Sequence, residues 1–157
     1  MTRRSGRRRL AWIVISIAAV LAVEWWIGTE SPDASSETDA PSAVAIEAGE
    51  ARVLELYRSR ASGEMVTVEG VVDRTLPDDD DGSRHQRFIV RLESGHTLLV
   101  AHNIDLAPRA ALRAGDVARV RGEYEWTELG GVLHWTHHDP DGGHPGGWIE
   151  ANGKRYR

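Results

Sequence analysis

The chain has 157 residues, 41% of them hydrophobic and 27% charged, with 16 glycines, six tryptophans, one phenylalanine and no cysteine. Its 24 acidic against 19 basic side chains leave a net charge of −5, a field that opposes sequence-independent nucleic-acid binding. The absence of cysteine excludes a lipidated N-terminal cysteine, thiolate metal ligands and a thiol nucleophile.

Residues 1–9 carry five arginines and lead into an apolar run at 10–27 whose one charge is Glu24. As a helix that run would be about 27 Å long, close to the ~30 Å hydrocarbon core. The arginines should stay cytoplasmic and send the remainder of the chain out, with Trp25 and Trp26 at the outer interface. The expectation is a single-pass cell-membrane protein with an extracytoplasmic C-terminal domain. A cleaved signal peptide is the alternative, with Val20-Leu21-Ala22 as the small-x-small site and a secreted or periplasmic product. Residues 28–43 are small, polar and acidic and read as a flexible linker.

The domain at 44–157 holds 14 basic and 19 acidic side chains. Val53, Leu54 and Tyr57 have helical spacing, which predicts a helix over 47–60 ended by Ser62-Gly63. From residue 65 the period changes to two. Strands are predicted at 65–75 with Gly70 inside, 85–93, 96–103 across the Ser94-Gly95 turn, 116–126 with Gly122 inside, and 132–137. Residues 76–83 read as an acidic loop and 103–115 as a connection with one or two helical turns. Residues 139–147 form a glycine-proline loop, and 148–156 a last hairpin around Asn152-Gly153. Three strands, a connection and two strands, with internal glycines, is the order of a five-stranded OB-type barrel; a small SH3-like or split barrel is the alternative.

All seven histidines lie between positions 85 and 144. Neutral imidazole is a good ligand for zinc, copper or nickel, so His134, His137, His138 and His144 with Asp139 form a candidate divalent metal set, with Asp141 as a further carboxylate. On one continuous strand His134 and His138 would be about 13 Å apart, too far to share one ion; His137 with His144, or His138 with Asp141, could meet only if the loop folds back. Otherwise the histidines serve as hydrogen-bonding or surface groups. His85 and His102 sit at neighbouring strand ends and could pair. The acidic run Asp78–Asp81 before Gly82 could hold calcium or magnesium, or be a solvated turn. His102 with Asp105 is a candidate general base, beside Asn103 and Arg109; Asn103 or Asp105 as a helix cap is the plainer reading. Trp126, Trp135 and Trp148 with Tyr124 could make a stacking surface or pack in the core. His85, Arg87, Asn103, Trp126 and Trp135 are the ligand-contact candidates.

The stretches His85-Gln86-Arg87-Phe88, His102-Asn103-Ile104-Asp105-Leu106-Ala107, Gly122-Glu123-Tyr124-Glu125-Trp126 and His134-Trp135-Thr136-His137-His138-Asp139-Pro140 resemble a bacterial family named domain of unknown function 3465. The resemblance covers roughly residues 50–157. It departs at Thr127-Glu128, where an asparagine-containing turn is expected. It implies a small, β-rich, OB-like exported domain and supplies no chemistry.

Three functions follow as expectations. The first is a membrane-tethered domain binding a small-molecule, glycan or protein ligand, with a histidine-based site for zinc or another divalent metal. The second is a metal-assisted hydrolase of a phosphoester or cell-wall substrate. The third is an envelope interaction module that senses pH through its histidines.

Overall fold

Helix α1 (Ala43–Ser59) buries Val53 and Leu56, spaced one turn apart, against the strands that follow. It begins four residues before its predicted start. Its end is made by Arg60, which takes the left-handed conformation (φ 54°) while Ala61 N–H returns to the Leu56 carbonyl at 3.0 Å. Arg60, rather than Ser62-Gly63, is therefore the terminator. Arg52 fixes the helix to the next strand through paired bonds to Glu64, at 2.6 and 2.5 Å. The computed structural model describes residues 43–157. The basic tail, the expected span at 10–27 and the linker up to residue 42 lie outside the described residues. Among the described residues, no helix is long and apolar enough to cross a membrane.

Seven strands follow: β1 (Glu64–Asp79), β2 (His85–Arg91), β3 (Thr97–Asn103), β4 (Val117–Glu125), β5 (Val132–His134), β6 (Trp148–Ala151) and β7 (Lys154–Tyr156). The five-strand expectation grows to seven because the terminal hairpin β6–β7 joins the same sheet. The strands pair antiparallel except β3 with β5, which run parallel. β1 pairs with β2, β2 with β3, β3 with β5, β5 with β4, and β4 again with β1, a circuit that returns to its start.

The length of β1 makes this circuit. Residues 64–71 pair with β4, and residues 71–79 with β2. Gly70 stands near the handover, where a Cβ would lie 2.5 Å from the Arg91 carbonyl oxygen. β1 also runs four residues beyond its predicted end into the acidic segment, with Pro77 at a bulge where no ladder hydrogen bond is required of it. The core follows the alternation along the strands: Phe88 and Val90, Leu98 and Val100, Val120 and Tyr124, and Leu133 and Ile149 are buried.

Two predictions are corrected. The 103–115 connection contains turns and no helix, because Pro108 and the Asn103-Asp105 turn break helical hydrogen bonding. The fifth strand stops at His134 rather than residue 137, because Trp135 adopts φ 50° and breaks the two-residue alternation. The last hairpin turns at Asn152 and Gly153, both at positive φ, as their sequence predicts.

Candidate functional site

The β4–β5 hairpin places Glu123 directly opposite His134. Glu125, two residues along β4, faces the same way. His134 Nε2 lies 3.6 Å from Glu123 Oε1 and 3.8 Å from Glu125 Oε1. That nitrogen is buried and has no hydrogen-bond partner. One atom from each of the three side chains falls within 4.8 Å of the other two. Four ligands at 2.0–2.1 Å around a tetrahedral cation stand about 3.3 Å apart, so the observed separations suit an ion with only small side-chain adjustment.

A second imidazole reaches the same carboxylate. His144 Nε2–H donates to Glu123 Oε2 at 2.5 Å, and His144 Nδ1–H donates to the Pro145 carbonyl at 2.8 Å. Acceptors on both ring nitrogens require both protons, so this is an imidazolium. The Glu123 hydrogen bond accordingly raises its pKa above the usual histidine value. The loop that carries His144 is tied by Asp139. Its carboxylate accepts from the backbone N–H of His144 at 2.7 Å and of Asp141 at 3.1 Å, and these bonds hold its pKa below the usual carboxylate range. The Trp135 ring stacks on His144, with centroids 4.2 Å apart and planes 15° from parallel.

The metal set expected from sequence is therefore rearranged. His134 and His144 converge, but on Glu123. His138 is exposed and Asp139 is occupied with the loop. His137 is buried, and its Nδ1–H donates to the His138 carbonyl at 2.7 Å. Sequence reasoning missed Glu123 and Glu125. The signal was available: two glutamates at i and i+2, and a hairpin whose turn at Gly130-Gly131 sets the register onto His134.

His134, Trp135 and His137 also line a cleft of about 210 Å³ with His85, Ala101, Asn103 and Leu106. Three of the five ligand-contact candidates, His85, Asn103 and Trp135, meet here. Arg87 does not: it donates to the Pro77 carbonyl at 3.0 Å and lies 3.5 Å from Asp79. Trp126 packs on the core and donates to the Tyr57 carbonyl at 3.1 Å, while Trp148 lies under Arg155 and Tyr124 is fully buried. The four aromatic residues do not form one stacking surface.

The general-base pair does not form. His102 is fully buried; Nε2–H donates to the Pro108 carbonyl at 3.1 Å and Nδ1 accepts from Thr136 Oγ1 at 2.9 Å. Burial lowers its pKa. Asp105 instead accepts from Arg84, at 2.8 Å from the backbone and 2.9 Å from the guanidinium. His85 pairs with Asn103, and His102 with Gln86, so the two histidines occupy opposite faces. In the acidic run, Asp78 is bound by Arg109, and Asp79 Oδ1 accepts from the Asp81 N–H.

The family model described as a protein of unknown function, DUF3465, matches residues 38–157. No curated protein matches the chain.

Proposed function

The chain belongs over residues 38–157 to the DUF3465 family, and on the chemistry of its own side chains we propose that it is a divalent-metal-binding, ligand-binding domain of OB type. The circuit of five strands supports the OB reading, since β1-β2-β3-β5-β4 closing on β1 is the order of that barrel. The apolar run after the arginine cluster supports a tether in the cytoplasmic membrane, with the domain outside.

The observation that carries the proposal is the enclosed, unpartnered Nε2 of His134 facing two carboxylates. An orphan buried nitrogen costs about 1–3 kcal/mol. A cation bound by His134, Glu123 and Glu125 removes that cost and neutralises the two acids. Imidazole with carboxylates suits zinc, manganese or iron rather than copper(I), which prefers sulfur. The His144 hydrogen bond to Glu123 would orient that carboxylate, as outer-shell partners do at metal sites.

The test uses the full chain, purified without a histidine tag, stripped with chelator and titrated calorimetrically with zinc and manganese. One saturable site per chain is expected, with affinity reduced at least a hundredfold in His134→Ala and Glu123→Gln. No uptake, or uptake indifferent to both substitutions, overturns the proposal.

A further inference from the structure

The cleft shares His134 with this centre, but its other polar groups, His85, Asn103 and His137, are ones that the metal reading does not use. His137 is only 4% exposed, yet one of its ring nitrogens has no partner among the described residues. Because Nδ1–H is committed to the His138 carbonyl, the neutral ring presents Nε2 as a bare acceptor. Asn103 supplies the complement. Its Oδ1 accepts from the Asp105 N–H at 3.0 Å, which leaves the carboxamide N–H groups without a partner among the described residues. His85, at the rim, makes no side-chain hydrogen bond among the described residues and adds a donor and an acceptor. An acceptor, a donor and an imidazole thus line one hollow of about 210 Å³, between walls of Leu106 and Trp135.

Two features set the class of ligand. The lining contains no Lys, Arg, Asp or Glu, and the charges behind it are paired with each other, Arg84 with Asp105 and His144 with Glu123. A charged ligand would surrender its hydration without meeting a counter-charge. The volume is below the ~300 Å³ at which pockets for drug-sized molecules begin, so the occupant is about one ring in size. A hydroxyl group both donates and accepts, and neighbouring hydroxyls on a ring can serve His137 Nε2 and the Asn103 amide together. His144 covers one face of Trp135, so the indole is a wall for C–H groups rather than a slot for a flat heterocycle.

We infer that the cleft bounded by His85, Asn103, Leu106, Trp135 and His137 binds a small uncharged polyhydroxylated ring, a single sugar unit. Strain marks the same place: Trp135 holds φ 50° at its edge, and strained non-glycine residues gather at binding sites.

The test is ligand-observed saturation-transfer NMR on the full chain, in a detergent without sugar headgroups, at pH 7.5. Glucose and N-acetylglucosamine are the neutral probes and glucuronate the charged one. Chelator is present throughout, so failure here is separable from failure of metal binding. Saturable binding of a neutral sugar is expected, with glucuronate at least tenfold weaker. Asn103→Asp keeps the acceptor for Asp105 N–H but loses the amide donors, and should weaken binding at least tenfold. His85→Ala removes a ring that holds no hydrogen bond, and should weaken binding severalfold while leaving the circular dichroism unchanged. No saturable signal from either neutral sugar, glucuronate binding as tightly as glucose, or full affinity in Asn103→Asp would each overturn the inference.

Discussion

His134 Nε2 sits 3.6 Å from Glu123 Oε1, buried and without a hydrogen bond, although strand register sets the two residues face to face. Glu125 approaches the same nitrogen at 3.8 Å and is nearly half exposed. Glu125→Gln would bring an amide donor within reach of the orphan. Stability of the metal-free protein should then hold or rise by up to about 1 kcal/mol. The stabilisation by zinc, about 2.7 kcal/mol at a hundredfold excess over Kd for the parent chain, should largely vanish. Urea denaturation with and without zinc measures both. Equal zinc stabilisation in the variant would remove Glu125 from the ligand set.

His102 makes a pH prediction. Burial depresses its folded pKa below the unfolded value of about 6.5. Its contribution to stability is therefore complete above that value and is lost as pH falls towards the folded pKa, with a slope of up to about 1.4 kcal/mol per pH unit. His144 has the opposite sign. Its raised pKa contributes below about 6.5 and is lost as pH rises through the folded value. Comparing His102→Gln with the parent isolates the first effect: the variant is less stable at pH 7.5, but its stability falls less steeply between pH 6.5 and 5. An unchanged slope would show that His102 is protonated without penalty.

Much of this arrangement was legible in the sequence. The period-two strands and the Asn152-Gly153 turn follow from alternation and turn chemistry, and strand pairing alone sets His85 opposite Asn103. What was hidden depends on single backbone conformations. Trp135 at positive φ ends β5 three residues early, so alternation counted along a longer strand misplaces every side chain after His134. The His102 and Asp105 pairing fails for a different reason. A β-ladder offset of one residue turns His102 into the core, and an arginine distant in sequence, Arg84, takes the aspartate. Periodicity places a residue on a face; it does not choose among partners for that residue.

Thr136 and His102 depend on each other inside the core, at 2.9 Å. Thr136→Val has the same shape but leaves Nδ1 of a fully buried ring unsatisfied. Such an orphan costs about 1–3 kcal/mol, whereas Thr136→Ser keeps the hydroxyl and loses only a methyl group. Urea midpoints should rank parent, Ser, Val in falling order. A valine variant as stable as the serine variant would mean that the hydrogen bond contributes nothing.

The loop from Asp139 to Gly147 is fastened in its middle by His144 on Glu123 and at its end by Arg121 on the Gly146 carbonyl and by the Gly147 N–H on the His137 carbonyl. His144→Ala removes the Glu123 bond and the stack on Trp135, while the Asp139 carboxylate still accepts backbone bonds. A charge-assisted bond of about 1.5–3 kcal/mol corresponds to roughly tenfold to a hundredfold more frequent local opening. Hydrogen exchange of the amides at 141–144 should accelerate by up to that factor, while Gly147, whose N–H is bonded to the His137 carbonyl, and the amides of β2 and β3 stay protected. Uniform acceleration would show that the loop does not open independently of the core.

Gly122 links the fold to the site most directly. It lies between the β4 residues that pair with β6 and those that pair with β5. A Cβ there would stand 2.4 Å from the His134 carbonyl oxygen and 2.8 Å from Thr136 Cγ2. The carbonyl belongs to backbone and cannot swing aside, so Gly122→Ala must push β5 away from β4. Overpacking of this kind costs about 1–3 kcal/mol, and the displaced element carries His134. The variant should lose stability and zinc affinity together. Gly82→Ala is the control, since Gly82 has φ 78° with nothing within 4 Å of an added Cβ. Strain from its left-handed conformation, about 1 kcal/mol, should lower stability and leave zinc affinity unchanged. If both variants lose stability and neither loses zinc, the distance between β4 and β5 does not govern the metal centre, and the His134 ligand position tolerates more movement than its enclosed nitrogen implies.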